Sequence, residues 1–113
     1  MTSYAPLLCK NGYSNWNPDM IYFDNSEKIR LTESYKMQKM FGQHAGDTYV
    51  VSELNLSAAL KRYVVTSVVK DSKTGKTWLK VVNALPRTLK LQVSGLGDKV
   101  VEVKGRSAQV FEL

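Results

Sequence analysis

Two carboxylates flank a short apolar run near the start of the chain, and such a pair could act as general acid and base. Asp19 precedes residues 20–23 and Asp24 follows them. A continuous apolar run of this length, with Pro18 before it, is typical of a buried strand. At about 3.3 Å per residue, an extended strand would put the carboxylates roughly 16 Å apart. That is too wide for two groups acting on one bond, so we predict turn and capping roles for both.

The other residues that could act as nucleophiles or ligands stand alone. Cys9 is a single cysteine, which excludes an internal disulfide and a multi-cysteine metal site. His44 has no cysteine or carboxylate at ligand spacing, and we expect a surface or helix-capping role for it. Residues 95–97 (Gly-Leu-Gly) are followed by no helix and therefore indicate a turn rather than a phosphate loop. The sequence predicts no metal site and no cofactor.

Size and charge indicate one ordinary globular domain. The chain has 113 residues, 43% hydrophobic residues and a formal net charge of +6. Its lysines and arginines are scattered rather than clustered, which favours a solvated surface over a polyanion-binding face. No apolar stretch is long enough to span a membrane, and no secretory signal precedes the first strand. We therefore expect neither a nucleic-acid nor a membrane partner.

A helix is predicted directly after the buried-strand candidate. Thr32 is a good N-cap and Glu33 suits the positive N-terminal end of a helix. Met37, Met40 and Phe41 form an apolar stripe at helical spacing. Such stripes usually belong to a core, so we assign them no cofactor role. Gly42 is expected to end the helix.

From residue 48 onward the hydrophobic period becomes two, which is typical of strands. The segment 71–75 (Asp-Ser-Lys-Thr-Gly) predicts a hairpin turn, with Gly75 in a left-handed conformation. Trp78 is expected to pack in the core or cover one end of the sheet rather than form an exposed platform for sugars. Turns recur about every ten residues, so we predict an antiparallel β-sandwich. Its six strands are expected at residues 48–54, 62–70, 76–84, 89–94, 99–104 and 107–113.

The two parts of the chain have different characters. Residues 1–45 look like one strand-helix unit, whereas residues 46–113 look like the sandwich. A lone strand cannot bury both of its faces by itself, although burying each side chain of residues 20–23 is worth about 2 kcal/mol. The strand would therefore pack on the sandwich, pair with another copy of the chain, or stay poorly ordered. This imbalance indicates a piece of a larger protein.

Three motifs in the first part carry a family resemblance. They are SYAPLL at residues 3–8, WNPDMIYFDN at 16–25 and TxSYxxQKMF at 32–41. Together they resemble the C-terminal part of family-51 α-L-arabinofuranosidases, and the tail from residue 81 onward fits as well. The resemblance covers essentially the whole chain.

The resemblance implies a fold and a division into domains. Family members have a catalytic (β/α)8 barrel followed by a β-sandwich of jelly-roll type. Residues 1–45 would be the end of the barrel, with its last strand and helix, and residues 46–113 would be the C-terminal sandwich. In the family, this sandwich also receives strands from the N-terminal part of the enzyme. The fold expected here is therefore mainly β, with an incomplete jelly-roll-like sandwich and an unprotected sheet edge.

The resemblance also implies where the chemistry lies. The family hydrolyses terminal arabinofuranosyl groups of arabinan and arabinoxylan by a retaining mechanism that uses two glutamates about 5 Å apart. Both glutamates lie upstream of this segment, and none of the five glutamates here (Glu27, Glu33, Glu53, Glu102 and Glu112) matches either motif. We therefore expect no catalytic residue in this chain. Trp16 and Asn17 would lie close to the substrate in the intact enzyme, with barrel packing as the alternative role.

The partners implied are the catalytic barrel of the same polypeptide and, through it, an arabinose-containing polysaccharide; self-association of the isolated chain is a further expectation. A bacterial parent that is secreted, periplasmic or cytoplasmic fits this reading. Two other classes remain open from the sequence alone. One is a carbohydrate-binding module, which would need Trp78 and the tyrosines to form an exposed flat strip. The other is a basic nucleic-acid-binding β domain, for which we can define no stacking face.

Overall fold

The computed structural model describes residues 3–13 and 17–113. Within them the chain is mainly β, with nine strands and two helices. It divides into two compact units, Met1–Gly42 and Gln43–Leu113. Neither described helix is long and apolar enough to cross a membrane.

The first unit holds a mixed three-stranded sheet and one helix. Its middle strand, β2, pairs parallel with β1 on one side and antiparallel with β3 on the other. Its elements are β1 (Leu8–Lys10), β2 (Ile21–Phe23), β3 (Ile29–Leu31) and α1 (Glu33–Gln43).

The predicted buried strand exists as β2, but it is not alone and only part of it is fully buried. Met20 and Tyr22 are buried, whereas Ile21 and Phe23 are half-buried. The sequence did not reveal β1 and β3 because each has only three residues and lacks a clear period of two. These flanking strands satisfy the backbone hydrogen bonds that a lone strand would leave open.

The helix α1 begins where the sequence predicts. Thr32 Oγ1 accepts a hydrogen bond from the backbone N–H of Tyr35 at 3.4 Å and donates to the carbonyl of Met20 at 2.7 Å. Thr32 therefore caps the helix and ties it to the residue before β2. The predicted end at Gly42 is wrong by one residue, because α1 continues through Gln43.

The second unit is built from six antiparallel strands in two sheets. Four strands form one sheet in the order β4-β5-β6-β9, and β7 pairs with β8 in the other. The strands are β4 (Thr48–Val50), β5 (Val64–Lys70), β6 (Thr77–Asn83), β7 (Leu89–Val93), β8 (Lys99–Val103) and β9 (Ser107–Glu112), and the short helix α2 is Ala58–Lys61. The six-stranded antiparallel prediction is confirmed, with β4 shorter than expected.

The core of this unit lies between the two sheets. Its fully buried members are all aliphatic and come from β5, β6 and β8: Val64, Val68, Leu79, Val81, Val101 and Val103. Leu89, Leu91 and Val93 of β7 pack against this core. The alternation of β7 is therefore confirmed, because each intervening residue faces outward.

The connections of the second unit follow turn chemistry that the sequence predicts. Gly75 adopts a positive φ of 74° in the β5–β6 hairpin. Asp71 accepts from the N–H of Lys73 at 2.9 Å and so closes the start of this turn. Asp47 binds the backbone and hydroxyl of Ser72, which fastens the start of β4 to the same hairpin. These hydrogen bonds from Ser72, above all that from its hydroxyl, lower the pKa of Asp47 below its usual 3.8.

Candidate functional site

Tyr22 lies at the centre of a polar cluster at the start of β2. The tyrosine is 6% exposed, and its hydroxyl donates to Asn17 Oδ1 at 2.6 Å. The same hydroxyl accepts the backbone N–H of Asp19 at 2.8 Å. The guanidinium of Arg30, on the neighbouring strand β3, lies 4.5 Å from the centre of the Tyr22 ring. A buried ring thus supports Asn17, which is itself exposed.

Of the two predicted substrate-proximal residues, the structure describes only Asn17. Asn17 lies at the surface on the hydroxyl of Tyr22. Trp16 lies outside the described residues. Tyr22 itself was missed by the sequence reasoning, which treated it as an apolar member of the strand. The available signal was the hydroxyl, because a tyrosine on a buried strand needs a hydrogen-bond partner.

Asp19 differs from its predicted role in a turn or cap. Its side chain is fully buried, and neither carboxylate oxygen has a hydrogen-bond partner in the part of the chain that the structure describes. The backbone N–H of Asp19, rather than its carboxylate, makes the local hydrogen bond. A buried carboxylate without a partner is costly, so this residue is a local source of instability in the chain as it stands.

Asp24 does hold a turn, as predicted. Its Oδ1 accepts from the backbone N–H of Ser26 at 2.8 Å and of Lys28 at 3.4 Å. The hydroxyl of Ser26 also donates to it, and this bond is the main reason that the pKa of Asp24 falls below its usual 3.8. The two aspartates therefore have separate structural surroundings and make no shared acid-base site.

The remaining candidates from the sequence are structural. The Cys9 thiol is half-buried and donates to the carbonyl of Lys10 at 3.4 Å. His44 meets Trp78 edge to face, with ring centres 5.8 Å apart. Trp78 is only 9% exposed and therefore packs as predicted. Among residues 3–13 and 17–113, no group of three histidine, cysteine or acidic side chains could hold a metal ion.

A groove lies in the second unit, between its two sheets. It has a volume of about 730 Å³ and is bounded by residues 50–56 on one side and by residues 90–96 on the other. Core residues Val68 and Leu79 form part of its floor. None of the described residues that line it is aromatic, so it offers no ring on which a sugar could stack.

Comparison with curated proteins gives matches to one class of enzyme. The chain is 32% identical over 98% of its length to α-L-arabinofuranosidase 1 of Arabidopsis thaliana, of which it spans 16%. It is 35% identical over 83% of its length to a probable α-L-arabinofuranosidase A of Aspergillus niger, spanning 14% of that protein. An extracellular exo-α-L-arabinofuranosidase of Streptomyces chartreusis matches 47% of the chain at 38% identity, over 6% of its own length. No model of a known protein family matches the sequence.

The chain is a relative of part of the α-L-arabinofuranosidases. It spans about a sixth of the Arabidopsis enzyme. The resemblance found in the three motifs is thereby confirmed.

The structure gives the same result for the fold. The solved structure of an arabinose-bound family-51 α-L-arabinofuranosidase matches with a TM-score of 0.67. The match covers 98% of this chain and 22% of that one, at 22% sequence identity. The fold of this chain is therefore that of a portion of an α-L-arabinofuranosidase, and a C-terminal β region of the enzyme is consistent with both comparisons.

Proposed function

We propose that this chain is the C-terminal region of an α-L-arabinofuranosidase and serves that enzyme as a structural, accessory part. One observation carries the proposal. Nearly the whole chain matches relatives of which it spans only about a sixth or less. A module with a separate function would be expected to match a separate protein rather than a part of one enzyme class.

In this proposal, residues 1–45 are the end of the catalytic barrel and residues 46–113 are the C-terminal sandwich. The parallel pairing of β2 with β1 supports the first assignment, because parallel strands are the element from which such barrels are built. The antiparallel β3 is an addition to that pattern.

An incomplete sandwich is supported by the open groove of the second unit. The sheet β7-β8 has only two strands in the described chain, and it faces a sheet of four. The groove of about 730 Å³ lies beside β7, and two of its apolar lining residues, Val51 and Leu96, are 88% and 45% exposed. In the enzyme, additional strands from another part of the polypeptide would cover these side chains. In the isolated chain, which lacks those strands, two copies would associate through the same side chains.

The proposed activity belongs to the whole enzyme, which would release terminal arabinofuranosyl groups from arabinan or arabinoxylan with retention. The chain contributes no catalytic glutamate, so by itself it is inactive. Its partners are the barrel of the same polypeptide and, through the barrel, the polysaccharide. Asn17, together with Trp16, would lie near the bound sugar.

Turnover of a chromogenic α-L-arabinofuranoside by the purified chain tests the inactive-fragment proposal. We expect a rate equal to the buffer blank. Turnover above that blank, retained after a further purification step, would show that the chain carries a catalytic group of its own.

A carbohydrate-binding module is the alternative, and the structure provides little support for it. Trp78 is 9% exposed and packs against His44, so it cannot form part of a flat exposed strip. Tyr49 and Tyr63 remain exposed. Retention of the chain on insoluble arabinoxylan, lost in a Tyr49→Ala, Tyr63→Ala variant, would favour this alternative over a structural role.

A further inference from the structure

The hydrogen bonds of Tyr22 fix the orientation of the Asn17 side chain. A tyrosine hydroxyl has one hydrogen to donate and lone pairs to accept with. The backbone N–H of Asp19 can only donate, so it occupies a lone pair of the hydroxyl. The single hydroxyl hydrogen is then available for Asn17, at 2.6 Å.

The opposite orientation of the Asn17 amide would be less favourable. If its Nδ2 faced the hydroxyl, Tyr22 would accept from two donors, and its own hydrogen would lose the acceptor it has on Asn17. Leaving a buried donor unsatisfied is unfavourable, and Tyr22 is only 6% exposed. The cluster therefore holds Oδ1 inward and turns the Nδ2 donors of Asn17 away from Tyr22.

We propose that Tyr22 is a positioning residue that presents Asn17 Nδ2 as a hydrogen-bond donor to an oxygen of the bound arabinofuranosyl group. This inference rests on the proposed function, which puts Asn17 near the sugar. It adds the reason that Asn17 is effective there: the amide is locked before the sugar arrives, so little side-chain freedom is lost on binding. Tyr22 acts only through Asn17 and touches no reacting atom.

Steady-state kinetics of the complete enzyme that carries this segment test the proposal. Tyr22→Phe keeps the ring and its contact with Arg30 but removes the hydroxyl. We expect KM for a chromogenic arabinofuranoside to rise about three- to tenfold, the value of one hydrogen bond, with kcat nearly unchanged. Asn17→Ala should raise KM at least as much, and adding Tyr22→Phe to it should change KM no further.

Tyr13→Phe is the matched control, because Tyr13 belongs to the same unit but is 73% exposed. Its KM should equal that of the wild type. An unchanged KM for Tyr22→Phe, or effects of the two substitutions that simply multiply, would overturn the positioning role.

An NMR measurement on the 113-residue chain separates this inference from the proposed function. In the wild type, the Asn17 side-chain amide should be ordered on the picosecond to nanosecond timescale, and in Tyr22→Phe its order parameter should fall. Equal order in both proteins would overturn the inference even if the complete enzyme is active. If the order falls but the complete protein hydrolyses no arabinofuranoside, the positioning of Asn17 stands and its proposed role toward the sugar fails.

Discussion

Asn83, at the end of β6, connects three segments of the second unit through one side chain. Its Nδ2 lies within hydrogen-bond distance of the carbonyls of Arg87, Val103 and Lys104, at 3.0–3.3 Å. Its Oδ1 accepts from the N–H of Leu85 at 3.0 Å. The side chain is fully buried, so these backbone groups have little access to water in its place.

Replacing Asn83 by alanine should therefore be among the more damaging single changes in this unit. We expect Asn83→Ala to lower the free energy of unfolding by about 2–4 kcal/mol, measured by urea denaturation. Asn55→Ala, at an exposed position, is the control and should change it by less than about 0.5 kcal/mol. A loss at Asn83 no larger than that of the control would refute the role assigned to these hydrogen bonds.

Substitution of Asp19 should raise the free energy of unfolding, whereas substitution of Asn83 should lower it. The carboxylate of Asp19 is fully buried and lacks a partner within the described residues. Asp19→Asn keeps the shape and replaces the unpartnered carboxyl by an amide, so it should stabilise the isolated chain by about 1–2 kcal/mol. Asp98→Asn, on an exposed turn, should have almost no effect. A clear loss of stability in Asp19→Asn would show that the buried carboxylate does not destabilise the chain.

At the scale of elements, Gly105 allows the β8–β9 turn to approach the β6–β7 connection. A methyl group at this position would lie 2.7 Å from the backbone nitrogen of Arg87 and 2.7 Å from the carbonyl carbon of Pro86. Backbone atoms cannot move aside as a flexible side chain can. The next residue, Arg106, donates its N–H to the carbonyl of Leu85 at 2.8 Å and holds the two segments at this distance.

We therefore expect Gly105→Ala to destabilise the chain by more than about 2 kcal/mol in urea denaturation. Gly42→Ala is the matched substitution, because Gly42 lies in helix α1 and a methyl group there would have nothing within 4 Å. It should stabilise the chain by about 0.5–1 kcal/mol. If both substitutions change the free energy of unfolding in the same direction, the close approach at Gly105 does not limit the packing.

Most elements of the second unit could be predicted because their signals are local. The alternation in β7 and the turn residues Asp71 and Gly75 each point to one structure. The sequence did not indicate the elements that depend on pairing with another segment of the chain. Strands β1 and β3 exist because β2 lies between them, and three residues carry too little pattern to show it.

The candidate site was predictable only in part, for a similar reason. The motif at residues 16–25 identified the family and drew attention to Asn17. The pairing of Asn17 with Tyr22 depends on how the chain bends before β2, which no residue pattern reveals. The inward position of Asp19 likewise contradicts the usual preference of an aspartate beside proline for a turn.

At the scale of the whole molecule, the two units differ in the extent of their buried cores. The second unit has its own aliphatic core, whereas the first has a three-residue strand at each edge of its sheet. Both units expose apolar side chains. Leu7 and Leu8 are 55% and 57% exposed, and Ile29 is 67% exposed. In the proposed function, another part of the enzyme would cover these side chains.

The most direct test is an activity assay of the complete protein that carries this segment, beside the same protein lacking it and beside the 113-residue chain alone. We predict that the complete protein releases L-arabinose from an arabinofuranoside. The protein without the segment should show no activity in the soluble fraction, and the chain alone should show no activity. Release of arabinose by the chain alone, or none by a folded complete protein, would contradict the account.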